Sequence, residues 1–182
     1  MNRGKAIFLD RDGTINVDKG YVYKPEDMEF IDGAPEAIRH MNELGYKVIV
    51  ISNQSGIARG FYTSEDVLRL HQYMDTELAK YGARVDAYYF CPHHPDYGPP
   101  CECRKPKTGL VERAIMDFDI DAGKSWMVGD KASDAECAKN AAMRAALVQT
   151  GNMNRDLVNN ANMIVIKDLY QLTTYFPQDS EI

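Results

Sequence analysis

The sequence has no long apolar run, little positive charge and few cysteines. Among its 182 residues, no apolar stretch approaches the roughly 20 residues of a membrane-spanning helix. The apolar run that follows the first basic residues, 6–9, is too short for the core of a signal peptide. We therefore expect neither secretion nor a membrane span, and place the protein in the cytoplasm.

Acidic residues outnumber basic ones. Lysine and arginine total 21 against 27 aspartates and glutamates, which gives a formal net charge of −6. This balance argues against a broad nucleic-acid or anionic-membrane surface. We expect a small-molecule partner held by a local cationic site, and a monomeric protein. With 45% hydrophobic and 26% charged residues, the composition is that of an ordinary globular chain. The length favours a single domain that spans residues 1–182, with a frayed tail at 177–182.

Three of the four cysteines lie in one loop, 91–103. The loop offers two close pairs of metal ligands, Cys91 with His93 and Cys101 with Cys103, around a turn rich in proline and glycine. Four such ligands form the closed tetrahedral set of a structural Zn²⁺ site. The alternative is a flexible loop with unrelated cysteines, but a long irregular loop gains from a metal staple.

Two details of this loop stay open at this stage. His94 is a possible substitute for His93 as the fourth ligand. Arg104 and Lys105 follow Cys103 directly, so an ordered loop would hold both cations at the rim of an anion site. The remaining cysteine, Cys137, is expected to be a buried helical thiol.

Short β-rich runs alternate with amphipathic, helix-like segments along the chain. Several strands are apolar throughout, as in parallel sheets covered on both faces. The pattern predicts a doubly wound α/β fold with a mostly parallel, Rossmann-like sheet. The predicted strands are 5–9, 47–51, 87–90, 125–128, 145–148 and 163–166. The predicted helices are 35–44, 63–82, 109–118, 133–142, 154–160 and 169–175.

Polar, acidic loops follow three of these strands, at 10–14, 52–56 and 129–131. In open α/β sheets, ligands bind at this carboxyl edge. Asp10 and Asp12, joined by Asp130, would provide the hard oxygen donors that Mg²⁺ prefers. Taken alone, Asp-x-Asp-Gly is more often a simple turn.

The longer run Phe-Leu-Asp-Arg-Asp-Gly-Thr at 8–14 changes that interpretation. It is followed in order by Ser52, Lys105 and Gly-Asp-Lys-Ala-Ser-Asp at 129–134, and the series resembles the four signatures of the haloacid dehalogenase (HAD) superfamily. The resemblance spans residue 5 to about residue 150. It implies a HAD-like fold and phosphoryl transfer through an aspartyl phosphate, with Mg²⁺.

The resemblance also implies roles for individual residues. Asp10 would attack phosphorus, and Asp12 would act as general acid and base while its backbone carbonyl binds Mg²⁺ together with Asp10 and Asp130. Ser52 would donate to the phosphoryl oxygens, and Lys105 would supply positive charge. Asp134 either orients metal-bound water or starts a helix.

The windows in which HAD enzymes carry cap domains are short, so the fold should be nearly capless, with the zinc-stapled loop filling one window. Further runs, among them Gly-Tyr-Val at 20–22 and Cys-Pro-His-His-Pro at 91–95, resemble the sugar-bisphosphate phosphatases of the histidinol-phosphate phosphatase-like subgroup. That resemblance implies hydrolysis of the 7-phosphate of D-glycero-D-manno-heptose 1,7-bisphosphate, in lipopolysaccharide precursor synthesis. The implied substrate contacts are Asp18, Lys19, Gly20, Tyr21, Asn53, Gln54, Ser55, Arg104 and Lys131.

Three alternatives remain. A histidinol-phosphate phosphatase has the same motifs, but Arg104 and Lys131 would provide a second anion site that a monophosphate does not need. A non-catalytic phosphosugar-binding module is disfavoured because the full catalytic set is present. A dehalogenase would need neither the second aspartate nor the metal.

Overall fold

A computed structural model describes residues 3–152 and 163–176. Within these residues the six strands form one sheet in the order β3-β2-β1-β4-β5-β6, and all five pairings are parallel. This confirms the predicted doubly wound α/β fold. The strands are β1 Ala6–Leu9, β2 Lys47–Asn53, β3 Ala87–Cys91, β4 Trp126–Gly129, β5 Arg144–Val148 and β6 Met163–Ile166.

Among the described residues, five α-helices connect and cover these strands: α1 Ala34–Glu43, α2 Ser64–Ala79, α3 Gly109–Phe118, α4 Ala132–Asn140 and α5 Leu169–Leu172. The helix predicted at 169–175 is shorter than expected, because a 3₁₀ turn at Thr173–Tyr175 replaces its second half. The helix predicted at 154–160 and the tail at 177–182 lie outside the described residues. In the part of the chain that is described, no helix is long and apolar enough to cross a membrane.

The sheet separates two hydrophobic cores because side chains alternate along each strand. On one face, Ile7 and Leu9 pack with the buried sides of α1, α2 and α5. On the other face, Phe8 packs against α3 and α4, where Cys137 is buried as predicted. With both faces covered, the ends of the strands are where a ligand can reach the fold.

The two cap windows contain only short structures, as the sequence predicted. After β1 the chain folds into a flap, residues 15–31. Within it, Val17 N donates to Glu29 O at 2.9 Å and Ile31 N donates to Ile15 O at 2.9 Å. After β3 the loop with the cysteines fills the second window. The carboxyl edge of the sheet is therefore bordered by loops and a flap.

Candidate active site

Three buried carboxylates meet at the carboxyl edge of β1 and β4. Asp10 follows β1, Asp130 follows β4, and Asp134 lies in the first turn of α4. One carboxylate oxygen from each lies within 4.8 Å of the others. The adjacency of β1 and β4 brings them together, since these two strands pair from Ile7 with Trp126 to Leu9 with Val128.

Lys105 is inserted between two of these carboxylates. Its Nζ lies 2.8 Å from Asp10 Oδ1 and 2.7 Å from Asp134 Oδ1, and it donates to Ile51 O at 2.6 Å. Burial disfavours the ammonium, but the two aspartates outweigh burial and raise the pKa of Lys105. The prediction that Lys105 lies at the rim of the anion site was wrong. Lys105 is 3% exposed, because its side chain reaches inward to these carboxylates.

Asp134 has the helix-start role that the sequence left open, and it also pairs with Lys105. Its Oδ2 accepts from Lys131 N at 3.0 Å, at the N-terminus of α4. Burial, reinforced by Asp10 and opposed by Lys105, raises the pKa of Asp134 to about 6. Gly129 makes room for it, since a Cβ there would lie 2.2 Å from Asp134 Cγ.

The cluster has the donors of a divalent-cation site. Asp130 Oδ2 accepts from Asn152 N at 2.7 Å, whereas its Oδ1 is buried without a hydrogen-bond partner among the described residues. Burial, with the charge of Asp10, raises the pKa of Asp130 despite the Asn152 N–H. Lys131 Nζ lies 3.7 Å from this oxygen, too far for a hydrogen bond, and a buried oxygen without a hydrogen bond among carboxylates is costly. The residues therefore fit Mg²⁺, which binds through a few carboxylates and substrate oxygens.

The carboxylate of Asp12 lies outside this cluster and is held by its own set of donors. Arg11, which is fully buried, places Nη2 2.9 Å from Asp12 Oδ2. Asn16 Nδ2 donates to Oδ1 at 2.9 Å, and Gln54 Nε2 donates to Oδ2 at 3.2 Å. Burial raises the pKa of Asp12, but Arg11 and these hydrogen bonds outweigh it, so the net shift is downward. Arg11 and Asn16 were missed from the sequence.

Residues at the end of β2 complete the site. Ser52 is buried, and its Oγ accepts from Gln54 Nε2 at 3.3 Å. Asn53 brackets the backbone of residue 105, since its Oδ1 accepts from Lys105 N at 3.0 Å and its Nδ2 donates to Lys105 O at 3.1 Å. The structure thus gathers the four predicted catalytic side chains at one edge, while their catalytic roles stay predictions.

A cavity of about 200 Å³ opens beside the carboxylates. Two of the nine predicted substrate contacts do not line it: Lys19 pairs with Glu29 at 2.8 Å, and Arg104 lines a neighbouring cavity of about 350 Å³ next to the cysteine loop. Tyr62 lines the cavity without having been predicted. The lining residues are Asp12, Asp18, Gly20, Tyr21, Asn53, Gln54, Ser55, Tyr62 and Lys131.

The four predicted zinc ligands also converge. Cys91 Sγ lies 3.7 Å from Cys101 Sγ and 2.9 Å from Cys103 Sγ, and His93 Nδ1 lies 3.2 Å from Cys103 Sγ. A tetrahedral Zn²⁺ with ligands at about 2.3 Å has sulfur–sulfur edges of about 3.8 Å, close to the Cys91–Cys101 distance and longer than the Cys91–Cys103 distance. His94 points elsewhere, with its Nε2 2.9 Å from Arg59 Nη2.

A HAD-like hydrolase is defined by three features together: the order of the strands in the sheet, the cluster of buried carboxylates and the buried Lys105. A HAD-hydrolase-like family model matches residues 102–172. The D-glycero-beta-D-manno-heptose-1,7-bisphosphate 7-phosphatase of Pasteurella multocida is 43% identical over 176 residues, covering 92% of this chain and 96% of that protein. Its namesake in Haemophilus ducreyi is 40% identical over 177 residues, covering 94% and 97%.

Solved structures agree. The D,D-heptose 1,7-bisphosphate phosphatase from B. bronchiseptica, complexed with magnesium and phosphate, superposes with a TM-score of 0.85 at 34% identity, covering 94% of this chain and 97% of that one. The chain therefore belongs to the D-glycero-D-manno-heptose 1,7-bisphosphate 7-phosphatase family of HAD hydrolases, and it is a phosphoric monoester hydrolase. The resemblance stated from the sequence is confirmed.

Proposed function

We propose that this enzyme hydrolyses the 7-phosphate of D-glycero-β-D-manno-heptose 1,7-bisphosphate, leaving heptose 1-phosphate, with Mg²⁺ bound at Asp10, Asp130 and the backbone carbonyl of Asp12. The observation that carries the proposal is the Asp130 carboxylate, whose Oδ1 is buried without a hydrogen bond from any described residue, with Lys131 Nζ 3.7 Å away, in the cluster with Asp10 and Asp134. The β anomer is chosen because the curated relatives carry it in their names.

Asp10 is the nucleophile in this proposal. Mg²⁺, when bound, offsets the repulsion between the carboxylates and the phosphate dianion. Lys105 holds the Asp10 carboxylate at 2.8 Å and keeps a positive charge beside it. Asp10 attacks phosphorus in line, the bond to the sugar oxygen breaks, and the aspartyl phosphate forms. Ser52 donates to the phosphoryl oxygens.

Asp12 moves the protons. It gives a proton to the departing sugar oxygen and later takes one from the water that hydrolyses the aspartyl phosphate. The donors around it hold the carboxylate form, which is the form that accepts a proton from water. Asp12 must therefore be protonated against these donors, or displaced from them, before it can act as the acid.

The rest of the substrate occupies the cavity between the flap and the loop after β2. Lys131 lines this cavity, and Arg104 lines the neighbouring one, so we assign them to the phosphate that is not hydrolysed. Asp18, Gly20, Tyr21, Asn53 and Ser55 are assigned to the sugar. Lys19 and Gln54 remain in the proposed set, although their side chains bond to Glu29 and to Asp12.

The site of Cys91, His93, Cys101 and Cys103 is proposed to hold structural Zn²⁺. The converging ligand atoms support it. The bound Zn²⁺ would affect the active site through Arg104 and Lys105. Arg104 Nη1 donates to His93 O at 3.1 Å, and Lys105 lies two residues after Cys103.

We also propose that the protein acts as a cytoplasmic monomer and one domain, without nucleic-acid or membrane partners. None of its four cysteines forms a disulfide, as is usual in a reducing compartment. The net charge of −6 disfavours polyanionic partners. Light scattering coupled to gel filtration tests the oligomeric state.

The function is tested by measuring phosphate release with Mg²⁺ from both anomers of heptose 1,7-bisphosphate, histidinol phosphate and fructose 1,6-bisphosphate. We expect kcat/KM for the β anomer to exceed the others by about a hundredfold, and Asp10→Asn to be folded and inactive. A preference for histidinol phosphate would contradict the substrate. Inactivity on every substrate would favour a binding module.

A further inference from the structure

Tyr62 lines the cavity beside Asp12, and its hydroxyl takes no part in the proposed reaction. Tyr62 lies near the end of the loop between β2 and α2 and is 6% exposed. Its hydroxyl donates to Gln54 Oε1 at 2.7 Å. Burial raises the pKa of Tyr62 to about 12, with Arg11 opposing and Asp12 adding to the rise. The hydroxyl therefore keeps its proton at neutral pH and can act as a donor.

This hydrogen bond fixes which way the Gln54 amide points. An amide presents its oxygen on one side and its two N–H donors on the other. Tyr62 and, at 3.4 Å, Arg11 Nη2 both donate to Oε1. The Nε2 group is therefore directed to Asp12 Oδ2 at 3.2 Å and Ser52 Oγ at 3.3 Å. Gln54 is 2% exposed, and its backbone N donates to Cys91 O.

The local backbone makes room for the Tyr62 ring. A Cβ on Gly56 would lie 2.1 Å from Tyr62 Cε1 and 2.5 Å from Cζ, so any side chain at this position would displace the ring. Tyr23 stacks on the same ring, with centroids 5.0 Å apart and planes inclined by 18°. The ring is thus held where its hydroxyl meets Gln54.

We propose that Tyr62 is a positioning residue for the hydrolysis, acting through Gln54 on the carboxylate of Asp12 and the hydroxyl of Ser52. The inference rests on the proposed role of Asp12 as the proton donor to the leaving group. A poor leaving group needs that proton, whereas an acidic leaving group departs without it. Loss of the Tyr62 hydroxyl therefore selectively slows the hydrolysis of substrates with a poor leaving group.

The test compares two aryl phosphates of similar shape, phenyl phosphate and p-nitrophenyl phosphate, whose leaving groups differ in acidity. We measure kcat/KM, which reports the steps through departure of the leaving group, with Mg²⁺. For Tyr62→Phe we expect a loss of about five- to tenfold with phenyl phosphate and less than about twofold with p-nitrophenyl phosphate. Gln54→Leu should show the same selectivity with a larger loss.

Tyr23→Phe is the matched control, because it removes a hydroxyl from the adjacent stacked ring, and it should change neither rate. Asp12→Asn should show the strongest selective loss with phenyl phosphate. Equal losses on both substrates for Tyr62→Phe, with Asp12→Asn still selective, would overturn the inference and leave a packing role. A wild-type enzyme inactive on all phosphates, or an unselective Asp12→Asn, would overturn the proposed function and the inference with it. Thermal melting confirms that each variant is folded.

Discussion

Replacing Lys105 with methionine should be among the most destabilising single changes in this protein. The ammonium group lies 2.8 Å from Asp10 Oδ1, 2.7 Å from Asp134 Oδ1 and 2.6 Å from Ile51 O, and all of these are buried. Methionine keeps most of the volume but leaves two buried carboxylates without their cation. The change therefore tests charge pairing more than packing.

Breaking a buried ion pair by removing one partner costs about 3–5 kcal/mol, which is a large part of a typical unfolding free energy of about 5–15 kcal/mol. The loss should depend on pH. Removing the opposing charge of Lys105 moves the pKa of Asp134 above its present value of about 6. Below that pKa the carboxyl is protonated and the penalty is relieved, so the destabilisation should grow from pH 6 to pH 8.

Urea unfolding of Lys105→Met and Lys107→Met at both pH values provides the measurement. Lys107 pairs with Glu102 at 2.7 Å but is 45% exposed, so the same substitution there should change stability far less. Adding Asp134→Asn to Lys105→Met should recover part of the loss. Equal effects of the two lysine substitutions, or a loss independent of pH, would refute the reasoning.

Three other predictions follow from the structure. Cys101→Ser should remove zinc from the purified protein and lower its Tm; an unchanged metal content and Tm would contradict the structural staple. His71 is buried against Tyr88. Burial, with the charge of Arg11, lowers the pKa of His71 to about 3, so the stability that neutral His71 gives the folded state is lost as pH falls from 6.5 toward 3. Denaturation at several pH values should show the wild type losing about 1.4 kcal/mol per pH unit relative to His71→Phe below pH 6; a constant gap would argue against it. Gly129→Ala should displace Asp134 and lower both kcat and stability, measured by turnover and thermal melting, and unaltered kinetics would show that the close approach is not needed.

The sheet and its helices could be predicted because short-range rules govern them. Apolar strands such as 47–51, followed by an amphipathic helix, indicate a parallel sheet covered on both faces, and each such strand ends in a loop at the same edge. The cap of α2 shows the same local control, since Thr63 and Asp66 satisfy each other's backbone N–H groups within one turn. The candidate catalytic residues were predicted from the ordered resemblance of four separate segments to the HAD signatures, and the four candidate zinc ligands were predicted from their spacing within one loop.

Tertiary packing decided how those residues are paired. Lys105 meets Asp10 across 95 positions of sequence, and Gln54 meets Asp12 across 42, so no local pattern predicts either contact. The choice of His93 over His94 likewise depends on where Arg59 lies. The sequence by itself determined which chemical groups arrive at the edge of the sheet, because each strand and the polar loop that follows it are set by short-range sequence patterns. Which carboxylates pair with Lys105, which one keeps an oxygen without a hydrogen bond and which one is held by surrounding donors were decided by distances that exist only after the strands and helices pack.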